Sequence, residues 1–208
     1  MEDQPLRPVA ALVLAAGGGR RLGGRPKALL RYRDRPLVEH AVGVVRAGGC
    51  GPVTVVLGAA REQVRTEARL PDCRLVDNPD WESGMGSSLR AGLAALDRGT
   101  SAVLVMLVDT PGVTPAAVAR LLAAHRAGAD LAAAGYQGRR GHPVLIGARH
   151  FAEAAAGATG DAGARALLAA HAAAITVVEC ADVAVPDDLD TPADLARWTA
   201  APQDLSGP

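Results

Sequence analysis

Residues 102–108 read AVLVMLV, seven apolar side chains in a row without alternation, closed by Asp109. A strand with one wet face alternates, so an unbroken run of this length demands cover on both faces, which a parallel sheet clothed by helices supplies. The rest of the chain keeps the matching rhythm. Apolar runs at 9–14, 53–57, 74–76, 102–108 and 175–178 are separated by segments of helical period at 37–46, 61–70, 87–96 and 115–126. That order predicts an α/β fold with a mostly parallel sheet. After Asp130 the plan changes: LAAAGYQGRRGHPVLIG (131–147) predicts two extended segments joined by a Gly/Arg-rich turn, an antiparallel excursion. Helices are expected again at 148–155 and 162–173. The last helix begins at TPADLARW, with Thr191 as N-cap, Pro192 at the first helical position and Asp194 at the third.

The 208 residues suit one domain spanning 1–208, with a core at about 9–200 and a tail, 201–208, expected to be disordered. Lys and Arg total 22 and Asp and Glu 22, so no global basic field exists to hold nucleic acid and any phosphate binding must be local. The first residues, MEDQPLRPVAALVLAAGGG, are acidic before an apolar run too short for a membrane helix, so no membrane partner is expected. Cys50, Cys73 and Cys180 are odd in number and lack CxxC spacing, which argues against a disulfide framework or a zinc site and for a reducing cytoplasm. Aromatic residues make up only 2%, so the core must rest on Ala, Leu and Val.

Five of the eight residues 17–24 are glycine, and Arg20, Arg21, Arg25 and Lys27 crowd around them. Glycines let backbone approach a ligand closely, and the cations need an anion to face, so a phosphate chain satisfies both. A Walker A loop needs Gly-Lys followed by Ser or Thr, whereas Lys27 lies between Pro26 and Ala28. A dinucleotide fingerprint needs GxGxxG and an acid at the end of the second strand; here Gly17, Gly19 and Gly23 are spaced GxGxxxG and VTVVLGAA has no acid. A solvated surface turn remains the plain alternative, but this turn opens straight from a buried strand, with Lys27 behind a rigidifying proline.

LAAGGGRRLGGRPK (14–27) resembles the LAAGxGxRxGxxK signature of the MobA-like NTP transferases. NPDWESGMGSSLRAGL, VLVMLVDTPGVT, GHPVLIG, GDAGARALL and DLDTPADL follow in the order seen in molybdenum cofactor cytidylyltransferases, so the resemblance runs over residues 9–198. It implies a Rossmann-like three-layer αβα sandwich of the nucleotide-diphospho-sugar transferase kind. It also implies a nucleotide site built on Leu14, Ala15, Ala16, Gly17, Gly19, Arg21, Lys27, Asn78, Ser87 and Ser88, with Arg21, Lys27 and Asp109 in catalysis.

Nucleotidyl transfer places negative charge on three phosphates, which magnesium and fixed cations neutralise. Mg²⁺ takes hard oxygen ligands and keeps several waters, so one or two carboxylates suffice. Asp109 ends the expected central strand, where open α/β sheets put their ligand crevice, and Thr114 and Pro115 already cap the next helix. The resemblance adds Asp190, before Thr-Pro, as the second ligand; its plain alternative is a charge on the helix dipole. Asp187 and Asp188 are expected to be solvated.

The family pattern implies CTP over GTP, because cytidine-using relatives carry LAAG and guanosine-using ones LAGG; Ala16 is present here. Ser87 and Ser88 either read the base or α-phosphate, or Ser87 merely caps the helix whose Leu89, Leu93 and Leu96 face the core. His142 and Arg165 match positions near the second substrate, although a lone histidine also suits a structural role. His40, His125, His150 and His171 are expected on helix surfaces or in packing. The resemblance therefore implies Mg²⁺-dependent transfer of CMP from CTP to molybdopterin-bound molybdenum cofactor, the product passing to a molybdoenzyme. The alternatives are a nucleotidyltransferase for a sugar or polyol phosphate, a non-catalytic cofactor carrier, and a nicotinamide oxidoreductase, the last disfavoured by the missing ribose acid.

Overall fold

The computed structural model describes residues 8–200. In chain order the elements are β1 (Ala10–Ala15), the short strands β2 (Arg31–Tyr32) and β3 (Arg35–Pro36), α1 (Leu37–Ala47), β4 (Val53–Leu57), α2 (Arg61–Glu67), β5 (Cys73–Asp77) and α3 (Met85–Ala94). There follow β6 (Ala102–Leu107), α4 (Pro115–Arg126), β7 (Leu131–Tyr136), β8 (Arg139–Gly147), α5 (Phe151–Gly157), α6 (Arg165–Ala170), β9 (Thr176–Glu179) and α7 (Pro192–Ala200).

Seven strands form one sheet in the order β5-β4-β1-β6-β8-β7-β9, and β2 pairs with β3 in a separate ribbon. β5, β4, β1 and β6 run parallel, β8 is antiparallel to both β6 and β7, and β9 is parallel to β7. The antiparallel excursion expected in 131–147 is thus the β7–β8 hairpin.

Every residue of β6 is buried because the sheet has two dry faces. Along β1, Ala11, Val13 and Ala15 enter one core with residues of α1 and α4, while Ala10, Leu12 and Leu14 enter a second core with residues of α3 and α5. Trp198 of α7 packs into the first core and Leu167 of α6 into the second. The result is the expected three-layer αβα sandwich with a mostly parallel sheet. No described helix is long and apolar enough to cross a membrane.

Several boundaries moved. α2 stops at Glu67 rather than running to residue 70, and the helix expected over 162–173 is broken into a 3-10 turn (Gly160–Ala162), α6 and a second 3-10 turn (Ala172–Ala174). Gly163, at φ 52°, separates the first turn from α6. α3 begins at Met85 with Gly84 as its N-cap, so Ser87 lies inside the first turn and is not the cap. The caps expected at Thr114 and Thr191 are present. Thr114 accepts from Ala117 N at 3.3 Å, while Thr191 and Asp194 form a reciprocal capping box, Asp194 N donating to Thr191 Oγ1 at 3.2 Å and Thr191 N to Asp194 Oδ2 at 2.8 Å. The tail 201–208 lies outside the described residues.

Candidate active site

Chain order from β1 moves to β4 and β5 on one side and then crosses to β6 on the other, so the direction of winding reverses between β1 and β6. The loops leaving their carboxyl ends part there and open a crevice. One of these loops is the glycine turn and the other starts with Asp109.

The glycine turn is built from its backbone. Leu22 N and Gly24 N both donate to Gly19 O, at 2.8 and 3.0 Å, and Leu22 is buried, pinning the 3-10 turn Arg20–Leu22 to the core. Gly19 sits at φ 61°, and a Cβ there would fall inside the Arg25 carbonyl oxygen. Gly18 lies under the Trp81 ring, whose Cη2 and Cζ3 would be 2.9 Å from a Cβ at that position. Pro26 then opens a second 3-10 turn at Lys27, whose N donates back to Gly17 O at 3.2 Å and whose neighbour Ala28 is fully buried.

This anchoring holds Lys27 between two carboxylates. Its Nζ donates to Asp109 Oδ2 at 2.5 Å and to Asp190 Oδ1. Asp190 comes from a segment 81 positions after Asp109, brought alongside by the 2.8 Å bond from Leu189 N to Asp109 O and by the capping box of α7. Arg21, largely exposed, reaches Asp190 at 3.4 Å. Burial works against the Lys27 charge, but the two carboxylates outweigh it and hold its pKa above the ordinary 10.5. Asp188 is exposed by its surface, as expected, yet it is not electrostatically free: loss of hydration first, then Asp109 and Asp190, push its carboxyl up to about 6, with Lys27 pulling the other way.

A cavity of about 310 Å³ lies over this cluster. Leu14, Ala16, Gly17, Lys27, Ser88 and Asp109 line it; Ala15, Gly19, Arg21, Asn78, Ser87 and Asp190 are not among its lining residues. Gly19 acts through the turn. Asn78 is buried, its Nδ2 donating to Ser87 Oγ at 2.8 Å and Ser88 Oγ at 3.0 Å, while its Oδ1 accepts from Asp80 N. Ser87 Oγ donates in turn to Asp80 O and Gly84 O, so this pair shapes the 78–84 loop and leaves Ser88 as the hydroxyl at the cavity. Lining residues that sequence reasoning did not select include Gly18, Trp81, Glu82, Gly84, Met85 and Asp161, and Arg20, one of the cations around the glycines, also lines it. Trp81 closes the NPDW stretch, but its contact with Gly18 spans 63 positions and is invisible locally.

A second cavity, about 330 Å³, adjoins the first through Leu14, Met85 and Asp161 and holds both His142 and Arg165. Burial lowers the His142 pKa, against the pull of Asp109 and a Val105 backbone bond, and its Nδ1 is buried with no hydrogen-bond partner among the described residues. An uncharged ring with a free nitrogen at a cavity wall suits a ligand donor or acceptor.

The model of the MobA-like NTP transferase domain matches residues 11–175. The chain is 43% identical over 198 residues to nicotine blue oxidoreductase of Paenarthrobacter nicotinovorans, covering 92% of this chain and 96% of that protein. Rv0371c from Mycobacterium tuberculosis H37Rv superposes with a TM-score of 0.83 at 30% identity, covering 95% of this chain and 100% of that one. A structure of Rv0371C in complex with manganese superposes at 0.78 with 29% identity, over 94% and 100% of the two chains.

Proposed function

The chain belongs to the MobA-like NTP transferase family, and from that premise we propose that it moves CMP from CTP onto molybdopterin-bound molybdenum cofactor, releasing pyrophosphate. The observation that carries the reading is the convergence of Asp109, Asp190 and Lys27 under a glycine-built cavity of about 310 Å³. Two carboxylates brought together on one lysine are hard oxygen donors of the kind that a divalent cation keeping several waters takes, so Asp109 and Asp190 fit Mg²⁺ or Mn²⁺. Asp109 and Asp190 would hold it, and when bound it neutralises charge on the triphosphate.

The glycine turn presents backbone N–H groups and lets the phosphates approach, while Lys27 and Arg21 draw charge from the β- and γ-phosphates. Leu14 and Ala16 carry the nucleoside side of the cavity, with the Ala15 side chain turned into the first core behind them; the Ala16 methyl favours a pyrimidine over a larger purine, and Ser88 offers a hydroxyl to base or α-phosphate. Asn78 and Ser87 position Ser88. His142 and Arg165 bind the acceptor in the adjoining cavity. An acceptor phosphate oxygen attacks the α-phosphorus and the bond to the β-phosphate oxygen breaks. With a second pKa of about 6 that acceptor is dianionic at neutral pH and needs no general base. The product would pass to a molybdoenzyme.

The test is pyrophosphate release with each of the four NTPs, Mg²⁺ or Mn²⁺, and molybdenum cofactor, beside Asp109→Ala. Release with CTP and cofactor together, lost in the variant, supports the reading. Turnover only with sugar or polyol phosphates changes the acceptor; CTP and cofactor binding without turnover makes the chain a carrier. A second reading, an oxidoreductase, is favoured by the relative matched over nearly its full length. Against it, β4 is followed by Gly58, Ala59 and Ala60, with no acid for a dinucleotide ribose. Oxidation of a reduced nicotinamide dinucleotide coupled to loss of nicotine blue absorbance, insensitive to Asp109→Ala, would select it.

A further inference from the structure

On the helical layer that carries the second core, away from the Asp109 cluster, His150, Glu153 and His171 bring one ligand atom each to within 4.8 Å of one another. His150 is the residue before α5, Glu153 lies in its first turn, and His171 follows α6. His171 Nε2 stands 2.9 Å from both oxygens of Glu153, and His150 Nδ1 stands 3.9 Å from Glu153 Oε2. The two imidazoles meet edge to face, with centroids 4.8 Å apart. A structural ion pair needs one histidine. The second one here is buried and points at the same oxygen from a distance no hydrogen bond spans.

We propose that these three side chains form a binding site for a divalent cation of the zinc type, independent of the nucleotide site. Two imidazoles and a carboxylate are a preferred three-ligand zinc set, which leaves a fourth position for water. Ligand atoms about 2.1 Å from a tetrahedral ion lie roughly 3.4 Å apart, a value between the two histidine–Glu153 separations of 2.9 and 3.9 Å, and the three ligand atoms lie within 4.8 Å of one another. Glu153 and His171 are accessible enough to admit the ion, their side chains 49% and 32% exposed, while His150, at 10%, forms the floor. Arg149 Nε donates to His150 Nε2 at 3.2 Å, so without the ion the ring proton sits on Nδ1. Coordination through Nδ1 places that proton on Nε2 and requires the Arg149 guanidinium to turn away; its second tie, to Asp130 at 2.5 Å, gives it an anchor. The bound ion would clamp the end of α6 to the start of α5. Because Arg165 opens α6 on the wall of the second cavity, the clamp bears on the acceptor side.

The experiment is calorimetric titration of Zn²⁺ into the full chain carrying Asp109→Ala and Asp190→Ala, which removes the other carboxylate pair. One equivalent is expected to bind, and Co²⁺ in its place is expected to give the visible absorption of a tetrahedral site. Added Glu153→Gln, which keeps side-chain size, or His171→Ala should each weaken Zn²⁺ by at least ~100-fold, more than typically follows from losing an outer-shell partner. No binding, or binding that survives both changes with unaltered affinity in a folded protein, overturns the proposal.

Discussion

Gly19→Ala separates two reasons for glycine in the phosphate-facing turn. Gly19, Gly23 and Gly24 all have positive φ, at 61°, 71° and 75°, so alanine at any of them meets the left-handed strain of about 1–2 kcal/mol. A Cβ at Gly23 or Gly24 meets nothing within 4 Å, whereas at Gly19 it overlaps the Arg25 carbonyl, with the carbonyl carbon 3.0 Å away. Arg25 cannot retreat without carrying Pro26 and Lys27 with it, because Lys27 N is tied to Gly17 O. Gly23→Ala and Gly24→Ala should therefore lower Tm by about 2–8 °C, at 2–4 °C per kcal/mol for a chain of this size, and leave CTP affinity within about threefold. Gly19→Ala should lose at least the same stability and, by displacing Lys27, more than ~tenfold in CTP affinity, a change of about 1.4 kcal/mol or more. Gly17→Ala, whose Cβ would lie an ordinary 3.8 Å from Lys27 Cδ, is the stability control. Thermal melts and calorimetric CTP titration in Mg²⁺ read both quantities. Equal affinity in Gly19→Ala and Gly24→Ala would refute the claim that close approach in this turn positions the lysine.

Lys27→Met leaves Asp109 and Asp190 facing each other, which should cost about 1–3 kcal/mol in urea unfolding without divalent cations; excess Mg²⁺ or Mn²⁺ should restore part of it, and no response to either ion would count against those carboxylates as ligands. Leu12, with no exposed surface and packed on Gly92 of α3, should lose about 2–5 kcal/mol on replacement by alanine, measured by the same unfolding. Burial pushes the Cys50 thiol up to about 12, so the folded protein should leave it unreactive to a thiol reagent at pH 8. The sign follows: from pH 9 toward 12 the unfolded thiol ionises while the folded one stays protonated, so stability should fall over that window, and Cys50→Ala should flatten the decline.

The layers were legible because burial on two faces leaves a mark within a single strand. AVLVMLV lacks alternation and became β6; Thr114-Pro115 and Thr191-Pro192 mark helix starts through bonds that span three residues. The broken stretch at 160–174 was not legible, since Ala and Leu continue a helical pattern while Gly163 and its neighbours stop it. Of the two readings for Ser87, the helix cap fails because Gly84 takes that place and leaves the hydroxyl to the buried Asn78 network.

By itself the sequence determined what local chemistry can determine: a strand that must be covered on both faces, a turn only glycines can make, and a lysine held behind a proline. Tertiary structure alone decided which carboxylates meet that lysine, that Trp81 lies over Gly18, and that His150 and His171 converge on Glu153. Apart from His150 and Glu153, which are three residues apart, those relations join positions 18 to 163 residues apart. They depend on register, helix placement and a backbone bond between Leu189 and Asp109, none of which is encoded in the spacing of neighbouring residues.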